Sequence, residues 1–428
     1  MIDTFKEFMK DEKAWDMYIT GRAGTGKTTD VAELIAYCLA ADIDCVVTAY
    51  THKACSILTT KMPEGTNIQT LHKFLKKCPT INNDATNKKY VQQNLKVGKS
   101  AKTRVLFIDE YSMIGEKDLM DIREEQDECG MRVVWIGDPY QLPPVNDVQA
   151  IKPRGKYKVL LEEIKRQAKD NPLGEALEQL VSFIEGAKPE PLKGLIRNRD
   201  IVQDYIFTEH DDKVILAYTN KRVEELNESI MGRMEPEPGD ILFSPTTQHR
   251  YKFKAWEHSP SIVAMPFGDP IELGSKYKTL EYLISRGIVQ FAVVEDDEGE
   301  ESTFACLFGH YNYKTHLDNF IAEAAEANRA IEGSFVGYKA AGWSRTNPTH
   351  PLAKRRAKAW RDFLSFNSSA ICLDFAHAMT VHKSQGSTYA DVFLDTDDIY
   401  IAANFSFEQY LKLMYVACSR ASNKVVTN

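Results

Sequence analysis

Eight residues near the start of the chain, GRAGTGKT at 21–28, combine three glycines, a lysine and hydroxyl side chains in the pattern G-x-x-x-x-G-K-[ST]. Gly21, Gly24 and Gly26 let backbone N–H groups come close to a phosphate, because no Cβ stands in the way. A helix beginning near Lys27 would point its positive dipole end at the same place. Lys27 is then placed to reach the β and γ phosphates of a nucleotide, and the Thr28 hydroxyl to ligate Mg²⁺, with Thr25 and Thr29 completing the contacts. The plain alternative is a flexible turn of the same spelling, and strand and helix context decides between them.

A second constellation is VLFIDE at 105–110, an apolar run ending in two carboxylates. At the end of a strand beside a phosphate loop, Asp109 would hold the Mg²⁺ shell. Glu110 would polarise an attacking water, a role needed for hydrolysis and not for simple phosphate binding. By itself such a pair is often only a solvated strand end.

The surrounding elements suit both assignments. DMYIT, the glycine-rich turn, DVAELIAYCLAA and DCVVTAY read as strand, turn, helix and strand. VLFID and VVWIG (133–137) fit strands buried on both faces of a parallel sheet, with a helix at about 115–129 between them. A second series starts at KVILAYTN (213–220) and KRVEELNESIMGRM. It resumes at AMTVHKSQGS and DVFLD near 378–395 and ends in the helical SFEQYLKLMYVACSR. The interval 244–372 differs: Pro-rich at first, then GIVQFAVV and STFACLFG around the acidic turn EDDEGEE, then a helix near 316–332. Alternation about a turn cluster predicts an inserted, mostly β subdomain.

At 428 residues the chain is long enough for about three domains, or two with insertions, at roughly 150 residues each. Its 43% hydrophobic and 27% charged content is globular. Lys plus Arg number 53 against 61 Asp plus Glu, a net charge of −8, so any polyanion must meet a local basic groove. The eight cysteines never approach CxxC spacing, which argues against a zinc ribbon or redox pair and for buried thiols in a reducing compartment. The N-terminus lacks a signal-peptide apolar region, and no run approaches the roughly 20 apolar residues of a membrane span. The expectation is a cytoplasmic protein of a bacterial or phage-infected cell, without a membrane partner.

In their order along the chain these pieces resemble the superfamily 1 helicases, within them the 5′ to 3′ branch containing Dda of T-even phages and the bacterial RecD proteins. GRAGTGKTT resembles motif I, AYTHKA (49–54) motif Ia, TLHKFL (70–75) motif Ib, VLFIDEYSM (105–113) motif II and GDPYQLPPV (137–145) motif III. EEIKRQ (162–167) is similar to the arginine segment before motif IV, AYTNKRVEELN (217–227) to motif IV, TVHKSQGST (380–388) to motif V and YVACSRA (415–421) to motif VI.

The resemblance implies an α/β fold of two RecA-like P-loop cores in tandem. Core 1A would span 1–76 and 104–155 around a small 1B pin at 77–103. Core 2A would span 156–243 and 373–428 around a larger, mostly β 2B insertion at 244–372. ATP and Mg²⁺ would lie between the cores, with Gly386 at the nucleotide, Gln141 sensing the γ phosphate, and Arg166 and Arg420 as arginine fingers. Fingers make physical sense because a loose phosphoryl-transfer transition state needs positive charge that arrives when a cleft closes. Arg166 in the mixed-charge LLEEIKRQAK also reads as a surface residue, and Arg420 as a partner of its helix dipole. Thr51, His52, Thr70, His72, Asn220, Thr380 and His382 are the DNA-contact candidates; the three histidines also read as core residues. The family's adenine-reading Gln has no counterpart, since residues 1–20 contain none. Tyr50 stands where motif Ia commonly has Pro, and Ser419 where motif VI commonly has Thr.

Two stretches are basic without any acid. One is 85–108, with Lys88, Lys89, Lys96, Lys99, Lys102 and Arg104. The other is 333–361, with Lys339, Arg345, Lys354, Arg355, Arg356, Lys358 and Arg361, interleaved with Trp343 and Trp360. Cations for phosphates and π faces for unstacked bases are what a single-strand groove requires, although a charge run is more often a solvated face. Pro79 and Tyr90 are the base-contact candidates of the pin. The leading expectation is a monomeric ATP-driven DNA helicase moving 5′ to 3′ on single-stranded DNA, acting on forked duplexes, with a single-strand-binding or replisome protein as a further partner. The alternatives are an RNA or RNA–DNA hybrid helicase, a nucleotide-gated DNA-binding translocase without unwinding, and a P-loop phosphotransferase, which would leave motifs V and VI unexplained.

Overall fold

The computed structural model describes residues 1–22, 24–81, 88–92, 104–144, 149–161, 171–233, 235–247, 249–266, 269–273, 278–296, 299–332 and 351–428. Arg166 and Trp343 lie outside the described residues. His52 is on a helix and Pro79 and Tyr90 are on strands, but their side chains also lie outside those described. The chain forms two compact units. One comprises Met1–Lys77, Gln92–Gly232 and His377–Asn428; the other comprises Cys78–Val91 and Arg233–Ala376.

The first unit holds two parallel sheets. In the first, the strand order is Asn67–Thr70, Cys45–Ala49, Val105–Ile108, Arg132–Gly137, Asp16–Gly21 and Lys158–Leu161. Every pairing is parallel. Side chains alternate across the strands, as a period of two requires. Val105 and Phe107 join Phe5, Leu34 and Ile35 on one face, while Leu106 and Ile108 join Tyr111, Ile122 and Trp135 on the other. Burial of both faces explains why VLFI and VVWI read as unbroken apolar runs. Lys158–Leu161 hydrogen-bonds to Asp16–Gly21, so the first sheet runs past residue 155, the end that the helicase resemblance implies for the first core. This edge strand is partly exposed and only four residues long, which is why its pattern is weak.

The second sheet has the order Ala378–Thr380, Lys213–Ala217, Tyr389–Leu394, Ala421–Thr427 and Ile196–Arg197, again with parallel pairings. Lys213–Ala217 therefore pairs with strands that follow the whole insertion, and the split series read in the sequence closes into one core around Ile215, Leu226 and Phe393.

In the second unit, Ile241–Phe243, Arg250–Glu257, Gln290–Glu295, Glu301–Phe308 and Ala370–Phe375 form a closed barrel. Gln290–Glu295 and Glu301–Phe308 are the hairpin expected about the acidic turn. Two long helices, His310–Glu332 and Pro351–Ser369, accompany the barrel and pack through Phe320, Ile321, Ala324, Phe363 and Phe366. The second of these carries Lys354, Arg355, Arg356, Lys358, Trp360 and Arg361 of the expected basic track, while Lys339 and Arg345 lie outside the described residues. Lys77–Ile81 and Lys88–Gln92 form a separate two-stranded sheet. Among the described residues no helix is long and apolar enough to cross a membrane.

Candidate active site

Most candidate residues lie at or just after the carboxyl ends of parallel strands, where open α/β sheets place their ligands, whereas Gly386 and Arg420 precede the strands Tyr389–Leu394 and Ala421–Thr427. Asp16–Gly21 ends in the glycine-rich loop. Gly24 and Gly26 both have φ of +83°, a left-handed backbone that side chains disfavour. A Cβ at Gly21 would come within 2.7 Å of Thr25 Oγ1 and 2.9 Å of the Leu161 carbonyl. The loop is tied from inside, with the Thr25 hydroxyl donating to Arg22 O at 2.9 Å. Lys27 opens the helix Lys27–Ala40, and its amine donates to Gly21 O at 2.8 Å and Arg22 O at 2.9 Å. Thr28 is half-buried beside it and Thr29 is exposed.

Asp109 follows the buried strand Val105–Ile108 and donates its N–H to Thr48 O at 2.8 Å. Glu110 sits at φ +56°, uncommon for a residue with a side chain, and its N–H donates to Asp109 Oδ1 at 2.9 Å. Burial, and next the charge of Glu110, pushes the Asp109 carboxyl up to about 7, against the pull of Lys27. Glu110 Oε2 is buried with no hydrogen-bond partner among the described residues. Two adjacent carboxylates, one oxygen of which has no hydrogen-bond partner among the described residues, form a hard oxygen donor set short of positive charge, which suits Mg²⁺.

From the second sheet comes Arg420, directly after the helix Phe407–Ser419 and only 3% exposed. Its Nε donates to Val416 O at 3.2 Å, Nη1 to Ser387 O at 3.4 Å and Nη2 to Ser419 Oγ at 2.9 Å. Burial depresses its pKa, and the carboxylate of Glu110 heads the charges that oppose the shift. Gln141 is buried in the turn after Arg132–Gly137, its N–H on Asp138 O at 3.3 Å. Gly386 has φ of +79° in the turn preceding Tyr389–Leu394.

Among the nucleic-acid candidates, three threonines cap local structure. Thr51 accepts from Ala54 N, Thr70 from Lys73 N and Thr380 from Lys383 N, at 3.2, 3.2 and 3.3 Å. Asn220 is exposed and accepts from Lys383 Nζ at 3.0 Å. His72 lies 5.1 Å from the Tyr50 ring, His382 lies 6.1 Å from that of Tyr218, and burial lowers the pKa of both. Trp360 is half-buried in the second unit and packs edge-on against Phe363. Two buried groups escape a motif-by-motif reading, Asp138 in GDPYQ and Tyr415 in YVACSR. Both lie inside the quoted motifs, so their spelling was the available signal.

The AAA domain family matches residues 3–201, and the UvrD-like helicase C-terminal domain family matches residues 375–427. Together they cover more than half of the chain, the first over the first core and the start of the second, the other over the end of the second. The chain belongs to the superfamily 1 helicases. Among relatives of this helicase, the uncharacterized protein R530 of Acanthamoeba polyphaga mimivirus is 21% identical over 98% of this chain and 96% of its own. The ATP-dependent DNA helicase dda of Enterobacteria phage T4 is 25% identical, covering 96% of this chain and 93% of its own. Solved structures share the helicase's fold. Bacteroides Pif1 bound to ssDNA superposes with a TM-score of 0.53 at 17% identity, over 99% of this chain and 91% of that one. Pif1 helicase from Candida albicans gives 0.52 at 17% identity, over 99% and 93%.

Proposed function

We propose that this protein is an ATP-dependent DNA helicase that moves 5′ to 3′ along single-stranded DNA and unwinds duplexes at forks. The observation that carries the reading is the pair Glu110 and Arg420: a buried carboxylate oxygen with no hydrogen-bond partner among the described residues on one core, and a buried guanidinium on the other whose positive charge Glu110, first among its neighbours, supports. A hydrolytic motor needs both a group to orient water and a cation supplied across a cleft. In this reading Gly21, Gly24, Thr25, Gly26 and Thr29 cradle the phosphates, Lys27 exchanges its two loop carbonyls for β and γ oxygens, and Gly386 lines the nucleotide. Thr28 and Asp109 would hold Mg²⁺, which neutralises phosphate charge when bound. Glu110 orients the attacking water, Gln141 senses the γ phosphate, and Arg420, with Arg166, offsets charge developing in the transition state. Thr51, His52, Thr70, His72, Asn220, Thr380 and His382 follow the strand ends and form the single-strand track. The protein acts as a monomer in the cytoplasm of a bacterium or of a phage-infected cell, with a single-strand-binding protein as a partner at the fork.

The test is unwinding of forked duplexes bearing 5′ or 3′ tails of DNA or RNA, with ATPase measured with and without single strand. Unwinding of 5′-tailed DNA with strand-stimulated ATPase is expected. Activity only on 3′ tails would reverse the polarity, activity only on RNA would replace the substrate, and stimulated ATPase without strand separation would make the protein a translocase.

A further inference from the structure

The Asp138 carboxylate stands at the end of Arg132–Gly137 in the first core and is fully buried. Its Oδ2 accepts the phenol of Tyr415, from the helix Phe407–Ser419 of the second sheet, at 2.8 Å, and Tyr415 is fully buried as well. Its Oδ1 accepts the backbone N–H of Tyr140 at 3.0 Å, and its own carbonyl accepts from Gln141 N at 3.3 Å. One carboxylate thus shapes the turn that presents Gln141 and also holds a side chain of the opposite sheet. A buried carboxylate is tolerated only while its oxygens are hydrogen-bonded, so losing the phenol is costly.

On the Tyr415 side, residues four apart lie on one face of a helix. Tyr415 and Ser419 are so spaced, and Ser419 Oγ accepts from Arg420 Nη2 while donating to Val416 O at 2.7 Å. Fixing Tyr415 therefore fixes the last helical turn, from which Arg420 projects. The rings of Tyr140 and Tyr415 meet edge-on at 6.0 Å, so the Tyr415 side chain also packs against the residue that precedes Gln141.

We propose that Tyr415 is a positioning residue that acts through its hydrogen bond to Asp138 to hold the Arg420 guanidinium in register with the turn carrying Gln141. It touches neither phosphate nor water itself; it sets the distance between the two groups that do. The inference rests on the nucleotide-cleft reading above, and the following experiment separates a failure of one from a failure of the other.

Tyr415→Phe removes the hydroxyl and keeps the ring. Steady-state ATPase is measured for this variant, for Asp138→Asn, which keeps an acceptor oxygen, for Arg420→Ala, and for Tyr415→Phe combined with Arg420→Ala. Thermal melting and binding of a fluorescent ADP are followed for each. The expected result is a kcat for Tyr415→Phe lowered about tenfold or more, as for a lost hydrogen bond to a charged group, with KM and ADP affinity within about twofold of the parent. Asp138→Asn should retain more activity than Tyr415→Phe. In the Arg420→Ala background, Tyr415→Phe should cost little further, since residues acting as one unit are not additive. An equal loss in both backgrounds overturns the positioning role, as does a lowered melting temperature with unchanged kcat. Normal turnover of Arg420→Ala would overturn the finger assignment itself, whatever Tyr415→Phe does.

Discussion

Trp360 Nε1 donates to Asn328 Oδ1 at 3.0 Å, joining the two long helices of the second unit, and Arg356 Nε donates to the same oxygen at 2.9 Å. Arg355 reaches Glu326 at 2.6 Å, bridging the same two helices. The indole is thereby half-buried between helices with its polar edge satisfied, an arrangement that favours packing over base stacking. Trp360→Ala should lower stability by about 1–3 kcal/mol, less than for a fully buried tryptophan. Chemical denaturation checks this, beside the salt dependence of single-strand affinity, which should not change. Lost DNA affinity in a variant of unchanged stability would return Trp360 to the stacking role.

Lys77 presents a starker case. Its amine donates to Asp118 Oδ1 and lies against Asp121 Oδ2, both at 2.5 Å, with the lysine side chain 1% exposed. Removing one member of a buried ion group leaves the remaining charges uncompensated. Lys77→Ala should cost about 3–5 kcal/mol in a denaturant titration. Adding Asp118→Asn and Asp121→Asn should recover much of that loss, and equal stability of the single and triple variants would show the ions to be solvated.

His382 supplies a pH dependence. Burial holds its folded pKa below the ordinary 6.5, so the unfolded chain binds the proton more tightly than the folded one. Stability from this residue is complete above about pH 6.5 and is lost as pH falls from there through the folded pKa, at up to about 1.4 kcal/mol per pH unit. His382→Gln should flatten the difference in melting temperature between pH 7 and pH 5.5. An unchanged difference would mean that the ring accepts its proton in place.

What the sequence made legible was local. The loop at 21–28, the strands at 105–108 and 133–137 and the hairpin at 290–308 each announce themselves through spacing of side chains within a few residues, because each is shaped by its own backbone and one buried face. The strand Lys158–Leu161 and the helix Pro351–Ser369 were harder to read. The first is a short, half-exposed edge, and the second hides an apolar stripe of Ala359, Phe363 and Phe366 beneath a basic surface that reads as a groove. Pairings such as Tyr415 with Asp138, separated by 277 positions, or Trp360 with Asn328, exist only after folding and leave no periodic trace. The strand-end acids were legible as a pair, but the unsatisfied oxygen of Glu110 was not.

That oxygen makes Glu110→Gln informative. An amide keeps the shape and removes the like charge that helps raise Asp109, so nucleotide binding and stability should hold or improve while turnover falls by about 10² or more, the scale of a lost general base. Fluorescent-ADP binding and single-turnover hydrolysis distinguish this from loss of the nucleotide, which would make Glu110 a binding group.

Arg420 permits a finer test than deletion. Its three nitrogens meet three acceptors on two segments, Val416 O, Ser387 O and Ser419 Oγ, so the guanidinium plane is fixed by the fork and not by charge alone. A lysine would keep the positive charge but could not span these acceptors, and its ammonium would be free to swing away from the cleft. Arg420→Ala should reduce turnover by about 10³–10⁵, the range for arginine fingers. Arg420→Lys should recover only a small part of it, while single-strand affinity in the absence of nucleotide stays near the parent value for both. ATPase and DNA titration together decide the matter. Full recovery by lysine would show that only the charge is needed and that the hydrogen-bonded fork merely anchors the helix end, whereas DNA affinity lost in step with turnover would place Arg420 on the strand and away from the phosphates.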